Sequence, residues 1–530
     1  MVDQIQQPVD IVIPWLDSSG LNDDNDEEDT QRESRTHTKL VDISSYKTNM
    51  TIRPLYLIKR KKYFETILRE LAARNRILVK GFNTYAYFSC KKDVMQRQIN
   101  QHLTNTNSYL LYMEFTKSNS YFTKKYLKLI NNEFIFALHN FLQSNRITLH
   151  QWILMTPNQS KLRLQTLYFL PDTDTENVIF HPMSCCRDSL TIRLSQFLRR
   201  QIEPIYRRTT LATTFKQGAD CVHALMKYTG EKRLRSTTLF ATIYIHDLCT
   251  VYSHEEMLYL LERFLHEHVS DSHEIDGLSI STLVELVRLF LDNQYIVYGY
   301  KLYRHVRGSP VKSPLTSVLA NIYMYYWEQE LITTLRDQQE IYGRRLDKIF
   351  LTWNKSEEAL HQLIETINTA SNRYHLHLTK TINNNNITYL DVNMSHIGHR
   401  LRTTVAHNIT THPYALPYVY GHQTSRVLTL LRSCLMRAAL CCSEFYDFIN
   451  ECHDIQVSFE YNGFHYDYFP TGLALFLHDF HIDELRLDLN EAVYNSRLYV
   501  QLRQNIFQAI HGPPTTTTTT TTTTNTQTEQ

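Results

Sequence analysis

A short polar turn between two apolar stretches constrains the fold of this chain more than any other segment. Apolar residues Ile341 and Leu346 precede Asp347, and Ile349 and Phe350 follow it. This pattern predicts a β-hairpin with Asp347 at its turn. Acidic residues are common at turns, so the meaning of Asp347 depends on the segments before and after it.

The segments before the hairpin have clear start signals for helices. Residues 241–252 begin with strand-like alternation, and Ser253 with Glu256 has the spacing of a capping box. Further on, a loop leads into a long apolar segment, where Ser313 suits the N-cap and Pro314 the first helical position. The order predicted is therefore strand, helix, loop, long helix and hairpin.

Three more segments follow the hairpin: a Tyr-Leu-Asp-Val strand at 389–392, a basic strand at 401–407 and an apolar helix at 435–443. In this order the segments resemble the sequence blocks of a reverse transcriptase, and in particular those of the Penelope-like retroelements, which are related to telomerase. The family blocks read approximately FDV with DLYT, RGG-MGSP-LANIYM, YGRYIDD-F, FLDV and LLRAA-ICS. The resemblance covers about residues 160–470.

The resemblance implies an α+β right-hand polymerase, with an antiparallel palm sheet packed on helices and a helical N-terminal extension. We expect the following divisions: a disordered acidic arm (1–45), the helical extension (46–160), fingers (161–235), palm (236–410), thumb (411–512) and a disordered Thr-rich tail (513–530). A segment at 295–303 is predicted as a palm hairpin that turns near Gly299. No GIY-YIG endonuclease motif is present, so the chain resembles the branch without that domain, or a truncated copy.

Nucleotidyl transfer in this family uses two Mg²⁺ ions, which need carboxylate ligands from two separate strands. Aligning Asp247 with the family's DLYT block places the first-strand aspartate position at Tyr244. A tyrosine phenol, with an unperturbed pKa of about 10, is a neutral and weak ligand at pH 7. In the hairpin, Asp347 occupies the first position of the family's aspartate pair, and Lys348 occupies the second.

Lys348 therefore puts a cation beside the expected metal position. At about 4 Å and an effective dielectric near 20, two unit charges interact by roughly 4 kcal/mol, so the lysine opposes a cation that an aspartate would attract. Asp247 lies three positions after Tyr244, and strand parity would point it to the opposite face. Asp347 is thus the one metal ligand that we expect to survive, and we expect it to bind Mg²⁺ weakly at best.

The resemblance also implies a substrate-binding set, formed by Arg307, Gly308, Ser313, Pro314 and Asn321. The fingers depart from the family where relatives have a basic LPKTHKE segment.

Here Asp172, Asp174 and Thr175 stand in that segment, and His181 replaces an arginine before Pro182. A triphosphate needs fixed cations, Arg above all. Lys312 replaces a glycine in the loop before the long helix. The differences from the family sequence thus lie at the positions expected to bind metal and nucleotide.

Three functions remain open. The first is a catalytically inactive reverse-transcriptase-like protein, derived from a retroelement, that retains binding to RNA or an RNA/DNA hybrid. The second is a weakly active RNA-directed DNA polymerase that uses Asp347 with Asp247. The third is a structural or interaction protein that uses the fold as a docking surface.

Composition limits these functions further. With 55 basic and 54 acidic residues the net charge is +1, which argues against tight binding to phosphate backbones. Local basic patches are nevertheless possible, and the candidates are residues 59–62, 199–200 with 207–208, 304 with 307, and 344–345. Nine cysteines, an odd number without a CxxC spacing, argue against both a disulfide framework and a zinc site. No signal peptide or membrane segment is visible, so we expect an intracellular protein, nuclear or cytoplasmic, that is not secreted.

Overall fold

The structure is a computed structural model, and it describes residues 52–82, 87–105, 107–115, 120–172, 178–269, 274–369, 376–383, 386–407, 424–487 and 492–511. The acidic arm and the Thr-rich tail lie outside these ranges, as do Asp174 and Thr175 of the fingers. The chain divides into two compact units, residues 1–70 and residues 71–530. All strands described below belong to the second unit.

The helices are α1 Ile52–Ala73, α2 Lys92–Asn105, α3 Ser120–Gln143, α4 Leu149–Met155, α5 Ile192–Thr209, α6 Gly218–Gly230, α7 His254–His268, α8 Ile280–Asp292, α9 Pro314–Asp337, α10 Glu357–Thr369, α11 Thr424–Cys441, α12 Phe445–Tyr461, α13 Tyr468–Asp479 and α14 Ala492–His511. The strands are β1 Arg76–Lys80, β2 Tyr87–Lys91, β3 Tyr109–Glu114, β4 Gln165–Asp172, β5 Ile179–Cys185, β6 Leu239–Ile245, β7 Glu274–Ile275, β8 Leu278–Ser279, β9 Tyr295–Tyr298, β10 Lys301–His305, β11 Tyr342–Arg345, β12 Lys348–Trp353, β13 Leu378–Asn383, β14 Asn386–Tyr389, β15 Val392–Ile397 and β16 Arg400–Val405. No helix in the described ranges combines the length and apolarity needed to cross a bilayer.

The central sheet contains the predicted hairpin. Its strand order is β11-β12-β6-β13, and every neighbouring pair is antiparallel. Arg345 pairs with Lys348, so Leu346 and Asp347 form a two-residue turn, with Leu346 in the left-handed region at φ 51°. The prediction of a hairpin with Asp347 at its turn is confirmed.

A second sheet corrects one sequence prediction. Its strand order is β3-β10-β9-β4-β5. The hairpin β9–β10 does turn at Gly299, with φ 60°, but it pairs with strands of the fingers and of the N-terminal extension instead of the palm sheet. The extension itself is mostly helical, as predicted, yet it also contributes β1, β2 and β3.

Two hydrophobic cores lie on the palm sheet. One is formed mainly by α5, α7, α8 and α9, and the other by α6, the sheet β14-β15-β16 and the helices α11–α14. Phe264 and Phe448 are fully buried examples, one in each core, and burial of such a side chain stabilises the fold by about 1.5–3 kcal/mol. The elements predicted as palm and thumb therefore share a continuous interior.

Both predicted helix starts are in place, with one difference. The Ser253 hydroxyl accepts from the Glu256 N–H at 3.2 Å, as a capping residue does. Pro314 is the first residue of α9 and Ser313 has the N-cap position, but the Ser313 side chain makes no capping bond. Ser195 of α5 instead accepts from the Leu315 N–H at 3.1 Å.

Candidate active site in the palm sheet

The register of β6 against β12 brings three predicted site residues together. Tyr244 lies directly opposite Lys348. The next residue of β6, Ile245, donates its N–H to the Asp347 carbonyl at 2.8 Å. The phenol and the ammonium are therefore cross-strand neighbours beside the turn carboxylate. The assignment of Tyr244 to the first aspartate position of the family stays a prediction.

A buried ion pair connects strand β11 of the hairpin to helix α9. The Arg344 guanidinium donates to Glu328 of α9 at 2.5 Å, and the two side chains are only 3% and 2% exposed. Arg344 also donates to the Leu346 carbonyl at 2.9 Å and to Asn321 Oδ1 at 2.7 Å. Because one guanidinium contacts both the turn and the long helix, the position of Asp347 depends on this pair.

Burial and charge act in opposite directions on Asp347. Burial raises the pKa of its carboxyl, and the neighbouring Lys348 ammonium opposes that rise. Burial also raises the pKa of the Tyr244 phenol, and the charges of Asp347 and Asp247 raise it further. Tyr244 is therefore a neutral phenol at pH 7 that cannot act as an anionic ligand.

Asp247 is placed differently from the sequence prediction. Strand β6 ends at Ile245, and Asp247 has a left-handed backbone with φ 49° before the short 3-10 helix 248–250. The parity argument therefore does not apply to it. The negative charges of Asp247 and Asp347 both contribute to raising the pKa of the Tyr244 phenol and of the Cys249 thiol. Together with burial, the two carboxylates raise the pKa of Cys249 to about 12.

These residues do not fit a pair of Mg²⁺ ions. The strand position that would supply a carboxylate holds the neutral Tyr244, and the hairpin position after Asp347 holds a cation. In the described part of the chain, the one place where three or more His, Cys, Asp or Glu ligand atoms converge is formed by His407, Glu451 and Asp454, and it includes neither Asp347 nor Asp247. No catalytic step through bound Mg²⁺ follows from this arrangement.

The loop before α9 is bound to the turn that contains Asp247. The Gly308 N–H donates to the Tyr252 carbonyl at 2.9 Å. Gly308 has φ 59°, and a Cβ there would lie 2.0 Å from the Cys249 carbonyl oxygen, so only glycine fits. The Arg307 guanidinium donates to the Val251 carbonyl, which leaves it positioned by the palm backbone.

The remaining residues of the predicted substrate set have structural contacts in this chain. The Ser313 and Ser195 hydroxyls are 2.9 Å apart and buried, and Asn321 is bonded to Arg344. Pro314 starts α9. The role of this set toward a substrate stays a prediction.

In the fingers, His181 and Asp172 pair with each other across β4 and β5. Their side-chain atoms are 3.1 Å apart, and the His181 ring stacks on Phe82 with centroids 4.1 Å apart. An imidazole that contacts a carboxylate offers less to a phosphate than a free arginine would. Lys312 is exposed.

Four of the eight arginines in the candidate basic patches after residue 190 form ion pairs within the described part of the chain. Arg199 and Arg207 both pair with Glu203, at 2.6 and 2.8 Å. Arg304 pairs with Asp292 at 3.2 Å, and Arg344 is buried. Of the residues 59–62, only the Lys62 side chain is described, and it is exposed. The prediction that Arg344 contributes to a basic surface is wrong.

Sequence reasoning missed a histidine pair beside Tyr244. The His246 and His377 rings are 4.3 Å apart, and the Tyr244 and His246 rings are 4.7 Å apart. Burial lowers the pKa of His246, and His377 lowers it further. The two histidines are separated by more than a hundred residues in the chain, so no local pattern could have joined them.

Comparison with solved structures identifies the architecture. The telomerase of Candida albicans, solved with the TWJ fragment of telomeric RNA, is similar over 84% of this chain and 73% of its own, with 11% identity and a TM-score of 0.50. The apo telomerase of Candida tropicalis (90% and 77% covered, 9% identity, TM-score 0.43) and the RNA-dependent RNA polymerase of a human picobirnavirus (86% and 89%, 10%, 0.40) are also similar. No protein-family model and no curated protein matches the sequence. The similarity to the Candida albicans telomerase shows that the chain has an α+β right-hand polymerase fold.

Proposed function

We propose that this chain is a reverse-transcriptase-fold protein, derived from a retroelement of the Penelope-like type, that has lost polymerase activity and retains weak binding to RNA or an RNA/DNA hybrid. One observation carries the proposal: Tyr244 lies opposite Lys348 in the palm sheet, beside Asp347. These are the strand positions where the chemistry needs carboxylates.

The size of the effect supports inactivity. A repulsion of roughly 4 kcal/mol between Lys348 and a unit positive charge corresponds to about a thousandfold weaker binding. Replacing an attractive aspartate by lysine adds the lost attraction to that repulsion. The neutral Tyr244 removes a second anionic ligand. Neither β6 nor β12 therefore supplies the carboxylate that a pair of Mg²⁺ ions requires.

A specific observation also favours the weakly active alternative. Asp247 is close enough for its charge to act on Tyr244 and Cys249 together with that of Asp347. A divergent polymerase could use these two carboxylates. In that case Asp247→Asn and Asp347→Asn should each abolish the extension that the native chain shows.

Primer extension on an oligo(dT)-primed RNA template, with Mg²⁺ and separately with Mn²⁺, tests the proposal. We expect no extension by the native chain. Extension that disappears in Asp247→Asn would instead establish the weak polymerase.

RNA binding is tested separately by fluorescence anisotropy with a single-stranded RNA and an RNA/DNA hybrid. The solved Candida albicans telomerase contains an RNA fragment, which supports this part of the proposal. Because several arginines of the candidate basic patches are paired within the chain, we expect few contacts to phosphates and therefore weak binding. Each phosphate contact adds about 0.7–0.9 to the slope of log affinity against log salt concentration, so we expect a shallow salt dependence. No binding at low salt would favour the docking-surface alternative.

A further inference from the structure

A cluster of potential metal ligands lies where the end of strand β16 meets helix α12, and the palm site described above does not use it. His407 follows strand β16, and Glu451 and Asp454 lie three residues apart on α12, so they share one face of that helix. One ligand atom from each of the three residues lies within 4.8 Å of the others. The cluster thus connects two elements that are far apart in sequence.

The geometry of the cluster is asymmetric. His407 Nε2 is 2.9 Å from both carboxylate oxygens of Glu451, whose side chain is 7% exposed. Asp454 is half-buried, and within the described ranges its carboxylate makes neither a hydrogen bond nor an ion pair. Two carboxylates therefore face a single imidazole.

We propose that His407, Glu451 and Asp454 bind a divalent transition ion of the zinc type. Imidazole and carboxylate oxygens suit such an ion. With metal–ligand bonds of about 2.0–2.2 Å, tetrahedral ligand atoms lie about 3.4 Å apart, so His407 and Glu451 need to separate by only about half an ångström. The three side chains leave a fourth position for water, and the ion ties the end of β16 to α12.

Asp454 distinguishes the metal site from a simple ion pair. If His407 and Glu451 only pair with each other, Asp454→Asn removes no bond and changes nothing that depends on metal. If the three residues bind an ion, the same isosteric change removes one of its ligands. The matched control is His478→Gln, because His478 is an exposed histidine that also contacts a carboxylate, Asp483 at 3.2 Å, without a third convergent ligand.

The experiment measures Zn²⁺ bound to the purified full chain by equilibrium dialysis, together with the shift in unfolding temperature on adding Zn²⁺. We expect one Zn²⁺ that stabilises the native chain. Asp454→Asn and His407→Gln should each weaken Zn²⁺ binding by at least about 10- to 100-fold. His478→Gln should bind as the native chain does. Without metal, Asp454→Asn should unfold at the native temperature, which separates loss of the ion from loss of the fold.

Co²⁺ substitution checks the type of ligand, because the nine free cysteines of the chain are an alternative binder. We expect a visible Co²⁺ spectrum without the near-ultraviolet band of a thiolate ligand. Absence of Zn²⁺ binding, an equal Zn²⁺-induced shift in Asp454→Asn and the native chain, or a thiolate band would each overturn the proposal.

Discussion

Glu328→Gln tests how the hairpin turn is supported. The change is isosteric, but it leaves the Arg344 guanidinium, 3% exposed, without its counter-charge. Removing one partner of a buried ion pair costs about 3–5 kcal/mol, because the remaining charge is uncompensated. The Tyr342 hydroxyl also donates to Glu328 at 2.6 Å, so the loss should fall in the upper part of that range.

The molecule contains a matched control. Arg146 pairs with Glu285 at the same N–O distance of 2.5 Å, but these side chains are 32% and 49% exposed. An exposed pair contributes about 0.2–1 kcal/mol, so Glu285→Gln should have a small effect. The two pairs share this shortest distance but differ in burial, and the buried pair has a second contact from Arg344 Nη2 to Glu328 Oε1 at 3.2 Å.

Urea denaturation followed by circular dichroism measures both losses, from the shift in midpoint at constant m. The double variant Arg344→Met/Glu328→Gln should lose less stability than the sum of its single variants, since the unpaired charge is gone. The reasoning is refuted if Glu328→Gln is no more destabilising than Glu285→Gln.

Three further predictions concern the surroundings of the site. Gly343→Ala should destabilise the fold by about 1–3 kcal/mol, because its Cβ would lie 1.9 Å from the Phe215 ring; Gly230→Ala, with nothing within 4 Å, should be neutral or stabilising. Equal unfolding temperatures for the two variants would contradict this. Ser195→Ala should cost about 1–3 kcal/mol in urea denaturation, since it leaves a buried N–H of α9 without its acceptor. Burial raises the folded-state pKa of Asp347, so ionisation is less favourable in the folded than in the unfolded state, and the native chain loses stability relative to Asp347→Asn as the pH rises from below about 4. A stability difference between these two that is constant from pH 4 to pH 7 would show that the carboxyl is not perturbed.

Local signals predicted the elements of the palm well. The hairpin at Asp347, the caps at Ser253 and Pro314 and the turn at Gly299 depend on residues within a few positions of one another, so the sequence contains them. The resemblance to reverse transcriptases placed Tyr244 and Lys348 at one expected site, but their direct opposition was not predicted, because periodicity alone does not supply the strand register.

Long-range pairing was not predictable in the same way. The pairing of β10 with β3 joins residues almost two hundred positions apart. Because of this pairing, the 295–303 hairpin belongs to the second sheet and not to the palm sheet where the sequence analysis placed it. The left-handed backbone of Asp247 ended β6 earlier than the alternating pattern indicated. The ion pairs of Arg304 and Arg344 were also not predictable from local sequence, because their carboxylate partners lie on helices more than ten residues away.

The central claim is that two substitutions account for the loss of polymerase chemistry in an otherwise intact palm. The direct test is primer extension by the double reversion Tyr244→Asp/Lys348→Asp, next to the native chain and next to the same reversion carrying Asp347→Asn. The account predicts extension by the double reversion alone, because it restores carboxylates to both strands beside Asp347. Extension by the native chain equal to that of the reversion, or no extension by the reversion, would contradict it.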